Sequence, residues 1–414
     1  MKASLKLWNE ALLVIPNGNS FLSKNPSRFY KSNWPIYFSR SKGCEVWDIN
    51  NKKYYDFSSM GVGTNVLGYG VRYIDNKVIK NIKLGNMTSL NCPEEVELAK
   101  KLLKIHPWAD MVKYARTGGE GNAIAIRLAR AFTKKNKIII CGYHGWHDWY
   151  LSENLKKKNY LETHLFKNLK TEGVPKILSK YCYSVLYNDI DRLKSIISKD
   201  KDIACFIMEV TRDKKPEKNY LNRIRKICND NNIILIFDEC TTGFRETYGG
   251  IHMKYKIYPD IAMFGKAIGN GYAITAILGK KKIMECSKNT FISSTFWSER
   301  IGPTAAIATL DYMKKHKSWF QIKKKGKYIK KQIIKIAEKN KLEINVSDLD
   351  SIIRFDFTNI KNKNFFYKEF INEMLKRGFL ASNFLYVSLS HTSKLIELYL
   401  RNFDETLKKI NVSN

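Results

Sequence analysis

Long apolar runs are absent from this chain. Nowhere do its 414 residues approach the roughly 20 consecutive apolar positions that cross a bilayer, and the longest run near the start is Ala11 to Ile15. No basic region leads into an apolar stretch with a small-residue cleavage site, so no signal peptide is expected. None of the eight cysteines stands in a C-x-x-C spacing, which removes the common zinc and dithiol signatures. Single scattered thiols fit a reducing cytoplasm. Acidic residues are few beside basic ones, 39 against 72, leaving a net charge of +33. Such a charge invites a nucleic-acid-binding reading, yet the basic residues form no clustered motif and no aromatic-rich RNA-binding signature is present. The densest basic stretch, Gln321 to Lys339, sets Ile322, Ile329, Ile333 and Ile336 at helical spacing, with lysines at many of the other positions. That pattern describes a solvated helix face. A diffuse positive field still favours anionic substrates.

The chain is 44% hydrophobic and 13% aromatic, which excludes a mainly disordered polymer. Its length suits one large and one smaller domain. A short helix is expected over Leu5 to Leu13. Val46-Trp47-Asp48 and Tyr54-Tyr55-Asp56-Phe57 flank Asn50-Asn51 as a β-hairpin would. From about Val96 onward, short Ile-rich runs alternate with helical stretches. The runs are Met111 to Ala115, Ile138 to Cys141, Ile203 to Met208, Ile233 to Phe237, Ile261 to Phe264 and Ala273 to Leu278. They read as buried strands of a mostly parallel sheet in an α/β fold, which binds ligands beyond the carboxyl ends of its strands. Beyond residue 303 long amphipathic helices dominate. Ile352 to Phe357 and Tyr386 to Leu389 suggest strands of a smaller α+β domain there.

The strand ends carry the chemistry. Arg116-Thr117-Gly118-Gly119-Glu120-Gly121-Asn122 is a glycine-rich turn leading into a helix at Ala123 to Phe132. Such a turn presents backbone N–H groups to a phosphate, or simply turns the chain. Gly61 to Gly68 does not match a dinucleotide fingerprint. In Gly142-Tyr143-His144-Gly145-Trp146-His147-Asp148 the interposed glycine argues for a turn rather than a metal-binding helix, and no metal is expected. Tyr143 is placed to cover a planar cofactor. Glu209 and Asp238-Glu239 follow buried strands directly, and a carboxylate there needs a cationic partner. For Asp238 that partner is a salt-bridge or cap group, or a protonated ring nitrogen. Lys266 sits between a buried strand and the turn Ala267-Ile268-Gly269-Asn270-Gly271. It is either a solvent-facing loop lysine or an amine tuned for nucleophilic work.

Two segments, Leu235-Ile236-Phe237-Asp238-Glu239-Cys240-Thr241-Thr242-Gly243-Phe244-Arg245 and Gly265-Lys266-Ala267-Ile268-Gly269-Asn270-Gly271, carry a resemblance that spans about residues 40 to 410. The chain resembles the class III, fold-type I pyridoxal-phosphate aminotransferases, and within them the glutamate-1-semialdehyde aminomutase branch. The resemblance implies pyridoxal 5'-phosphate held by Lys266 as an internal aldimine, with Asp238 pairing to the pyridinium nitrogen and Tyr143 stacking on the ring. It places Gly118 and Gly119 at the phosphate turn, where the family commonly has Gly-Thr and its hydroxyl. Glu209 matches an acid near the cofactor, although Val210 replaces the usual proline. Thr295, in Ser293-Ser294-Thr295-Phe296-Trp297, matches a threonine that reaches the phosphate of the neighbouring subunit, which implies a homodimer. The implied layout is an N-terminal segment, 1–49, packing with the small domain; a cofactor-binding domain, 50–302; and a small C-terminal domain, 303–414.

Two departures favour a transaminase over an aminomutase. Asn383 stands where aminomutases carry a glutamate, and Ser20 to Pro26 offers only Lys24 where they carry an arginine. Lysine lacks the two-pronged fit of arginine to a carboxylate. The expected reaction moves an amino group from an amino donor to a small or sugar-derived aldehyde or ketone. The alternatives are glutamate-1-semialdehyde aminomutase and, more remotely, a non-catalytic nucleic-acid-binding protein. The lysine-rich stretch from Ser152 to Ser179 is a candidate lid.

Overall fold

The computed structural model describes residues 2–156 and 169–412. The candidate lid therefore falls partly, at 157–168, outside the described residues. The chain divides into two compact units: Asn76–Tyr312, and Met1–Asp75 together with Met313–Asn414.

The first of these is built on a seven-stranded sheet. Its strands are β1 (Met111–Ala115), β2 (Lys137–Cys141), β3 (Cys182–Ser184), β4 (Ile203–Met208), β5 (Ile234–Asp238), β6 (Ile261–Phe264) and β7 (Thr275–Gly279). Their spatial order is β1-β7-β6-β5-β4-β2-β3. The run from β6 to β3 is parallel, and β7 is antiparallel to both β1 and β6. Every residue of β4, β5, β6 and β7 is buried, as expected for strands covered on both faces. Helix α1 (Gly118–Thr133) packs Ile124 and Leu128 into the same core as Ile138, Ile207 and Ile236. It begins five residues before the expected Ala123 because Thr117 caps it, in a reciprocal capping box with Glu120. The strand β3, Cys-Tyr-Ser, was not expected; three residues with a polar end carry no apolar run to detect.

The other unit holds the predicted hairpin. Glu45–Asp48 pairs antiparallel with Lys53–Phe57, and Asn51 takes a left-handed φ of 65° in the turn. Phe38–Lys42 and Phe379–Ala381 complete a four-stranded sheet. Ile352–Phe357 forms the predicted strand in a three-stranded sheet with Ile344–Val346 and Phe384–Tyr386. The strand expected at Tyr386 to Leu389 stops at Tyr386. There the backbone N–H of Ser388 donates to Nδ1 of His391 instead of to a neighbouring strand.

Candidate active site

Because β7 runs against both β1 and β6, the carboxyl ends of β1, β2, β4, β5 and β6 all lie along one edge of the sheet. Each delivers a residue nominated from sequence. Gly118-Gly119 follows β1, Tyr143 follows β2, Glu209 follows β4, Asp238 ends β5 and Lys266 follows β6. Thr295 opens the 3-10 turn Thr295–Ser298 and is exposed.

Asp238 is held by three donors. His144 Nδ1 and Asn122 Nδ2 each lie 2.9 Å from Oδ2, and the backbone N–H of Cys240 donates to Oδ1 at 3.1 Å. Burial pushes this carboxyl up, but His144, Asn122 and Cys240 N–H outweigh burial and hold it below the usual carboxylate range. An ionised acid is thereby kept at the end of a buried strand. His144 Nε2 and Asn122 Oδ1 are buried without a protein partner among the described residues.

Lys266 adopts a left-handed φ of 43°, a conformation that costs a long side chain on the order of 1–3 kcal/mol. Its Nζ donates to Thr241 Oγ1 at 2.8 Å. The same hydroxyl accepts from Arg212 Nη2 at 3.0 Å, and Arg212 Nη1 pairs with Glu209 Oε2 at 3.1 Å. Glu209 Oε2 also accepts from the backbone N–H of Tyr143 at 3.1 Å. Burial raises the Glu209 carboxyl and Arg212 only partly offsets it.

At the turn after β1, the glycine pair that opens α1 is packed against side chains. A Cβ on Gly119 would lie 2.8 Å from His147 Cε1, and one on Gly118 would lie 3.1 Å from Cys240 Sγ. A side chain at 119 would therefore meet the His147 ring, which would have to shift to admit it. Glu120 ties the turn further. Its Oε2 accepts from Thr117 N at 2.8 Å and Arg116 N at 3.0 Å, and its Oε1 accepts from Trp297 Nε1 at 3.2 Å.

Sequence reasoning did not assign site roles to Asn122, His144, Arg212 or Thr241. Asn122, His144 and Thr241 do stand inside the sequence motifs, and Arg212 stands three residues after Glu209. Only the fold shows which atoms they touch. Among the described residues no group of three or more His, Cys, Asp or Glu is placed to hold a metal. His144 is engaged with Asp238, and His147 stacks on Trp146 with ring centroids 4.8 Å apart.

An ionised acid, a lysine amine just beyond the adjacent strand end and a helix N-terminus suit one ligand type. It is a flat heteroaromatic aldehyde carrying a phosphate, and the unpartnered His144 Nε2 and Asn122 Oδ1 leave polar valences for it. The arrangement is that of a fold-type I enzyme dependent on pyridoxal 5'-phosphate. The chain belongs to the class III aminotransferase family, whose model matches residues 29–399. It is 33% identical over 428 residues to a glutamate-1-semialdehyde 2,1-aminomutase of Wigglesworthia glossinidia brevipalpis, covering 97% of each chain. It is also 33% identical over 351 residues to a 3-aminobutyryl-CoA aminotransferase of Cloacimonas acidaminovorans, covering 83% of this chain and 80% of that one. The fold matches the FumI protein of Sphingopyxis sp. MTA144 in its internal aldimine form. There the TM-score is 0.89 at 22% identity, over 99% and 97% of the two chains.

Proposed function

We propose that this enzyme is a transaminase that passes an amino group from an amino donor to a small or sugar-derived aldehyde or ketone. The observation that carries the chemistry is the pairing of β5 with β6, which sets ionised Asp238 and the Lys266 amine on adjacent strand ends. When bound, pyridoxal phosphate supplies an electron sink for the substrate carbon. Lys266 Nζ would hold the cofactor aldehyde, and its amine would serve as the base that moves a proton at the substrate carbon. Asp238, whose carboxylate His144 and Asn122 hold in place, would accept the ring N–H and keep it protonated. Tyr143 would cover the ring face. The Gly118-Gly119 turn would receive the phosphate on backbone N–H groups, and Glu209 orders the surrounding shell through Arg212 and the Tyr143 N–H.

The preference for a transaminase rests on Asn383 and Lys24, which stand where the aminomutase resemblance has a glutamate and an arginine. The aminomutase is the second reading, favoured by the relative matched over nearly the whole chain. We place the enzyme in the cytoplasm as a homodimer in which Thr295 contacts the partner's cofactor phosphate. Mixing cofactor-loaded protein with glutamate and following release of 2-oxoglutarate tests the first reading with that donor. Conversion of glutamate-1-semialdehyde to 5-aminolevulinate without a second substrate would replace it with the aminomutase. Borohydride treatment is expected to fix a pyridoxyl label on the peptide bearing Lys266, and a label elsewhere would overturn both.

A further inference from the structure

We propose that Thr241 is a positioning residue for the Lys266 amine, and that Arg212 locks the Thr241 hydroxyl for this task. The inference rests on the role given to Lys266 above.

A hydroxyl has two acceptor lone pairs and one hydrogen. On Thr241 Oγ1 two cationic donors converge, Lys266 Nζ at 2.8 Å and Arg212 Nη2 at 3.0 Å. Both lone pairs are then engaged, and the hydroxyl hydrogen is turned away from both cations. Guanidinium stays protonated at any working pH, so its grip on this oxygen does not lapse as the lysine changes state. Arg212 is itself anchored by Glu209 Oε2 at 3.1 Å, and that oxygen is held in turn by the Tyr143 N–H at 3.1 Å. Thr241 is 4% exposed and Arg212 8%, so water competes little for these bonds. The receiving lone pair on Thr241 is therefore a fixed point at the mouth of the sheet.

Lys266 needs such a point. A lysine side chain carries about 2 kcal/mol of rotamer entropy, and an amine free to roam is a poor nucleophile for one carbon. Here the side chain is pinned at both ends, by a left-handed backbone at its root and by Thr241 at its tip. The amine waits in one place when it is not bonded to the cofactor. Once it has given its extra proton to water, the neutral amine would attack from that place to form the C–N bond, and the aldehyde oxygen would leave as water carrying the two remaining amine hydrogens.

The test uses the full-length protein stripped of cofactor. Pyridoxal phosphate is added in a stopped-flow instrument, and covalent capture by Lys266 is read as growth of the long-wavelength absorbance band. Thr241→Val, which removes the oxygen and keeps the shape, is expected to slow capture by on the order of 10- to 100-fold. Thr241→Ser is expected to return the rate to within a few-fold of the parent. Affinity for pyridoxamine phosphate, which has no aldehyde to capture, is expected to stay within about threefold in both variants. If the valine variant is insoluble, Thr241→Ala makes the same comparison against serine. Capture by the hydroxyl-less variant at the parental rate overturns the proposal, as does a serine variant no faster than it. A parent protein that forms no borohydride-fixed adduct at Lys266 overturns the underlying reading instead, so the two failures are distinguishable.

Discussion

Two buried histidines show how single side chains set the pH range of this protein. His106 donates from Nδ1 to Leu102 O at 3.0 Å and accepts the Gly250 N–H on Nε2 at 3.1 Å. His391 accepts the Ser388 N–H on Nδ1 at 3.1 Å and donates from Nε2 to Asp56 O at 2.8 Å. Each ring thus needs one donor and one acceptor nitrogen, which only the neutral form provides. Burial pulls both down to about 4; His252 adds to this at His106, opposed by Leu102 O and Glu239, while Asp56 O opposes it at His391 and Lys325 adds. The unfolded chain takes up these protons near pH 6.5 and the folded chain does not until about pH 4, so stability rises with pH across that window. The contribution is complete above about 6.5 and worth roughly 3 kcal/mol per ring before it is lost on acidification. Urea unfolding at pH 7 and pH 5 is expected to show a drop for the parent that is smaller for His391→Asn. Equal drops in the two proteins would contradict the account.

Asp238 behaves differently under the same burial. Three donors reverse the effect of burial there, whereas Glu209, with one guanidinium, remains raised. Two acids that look alike in sequence, each directly after a buried strand, are separated by what the fold brings to them.

Among the elements, the helix Ser318–Lys339 sets propensity against packing. Of the four isoleucines set at helical spacing, Ile322, Ile329 and Ile333 are buried and Ile336 is half-buried, while Lys324, Lys327, Lys331 and Lys335 are exposed. Gly326 sits mid-helix, where alanine would ordinarily gain about 1 kcal/mol. A Cβ there would lie 1.7 Å from Asp350 O, which is backbone and cannot swing aside. Steric cost wins, and Gly326→Ala is expected to destabilise by at least 1–3 kcal/mol, read as a lowered melting temperature. A gain in stability would mean that the loop at Asp350 yields freely.

At the scale of the whole molecule, Phe291 and Phe296 are 82% and 67% exposed beside Thr295. Large apolar side chains left open in this way suit a surface covered in an assembly. Sedimentation is expected to give about twice the 48.2 kDa chain mass. On the proposed role of Thr295, Thr295→Ala is expected to weaken cofactor retention by roughly 10-fold. A monomer that retains cofactor fully would remove both the dimer and the role of Thr295. No helix of the described residues is long and apolar enough to cross a membrane.

Much of the scaffold was legible along the chain. Met111–Ala115, Ile203–Met208, Ile261–Phe264 and Ile352–Phe357 fall where apolar runs of strand length place them, because burial on both faces demands near-continuous apolar residues. The positions of the glycine pair, Tyr143, Glu209, Asp238 and Lys266 at the ends of such runs were legible too. Contacts across long sequence separations were not. Asn122 and His144 reach Asp238 from 116 and 94 positions away, and Arg212 meets Thr241 across 29. Composition and periodicity constrain only near neighbours. Which lone pair meets which donor is decided by strand order and register, and these exist only once the sheet has closed.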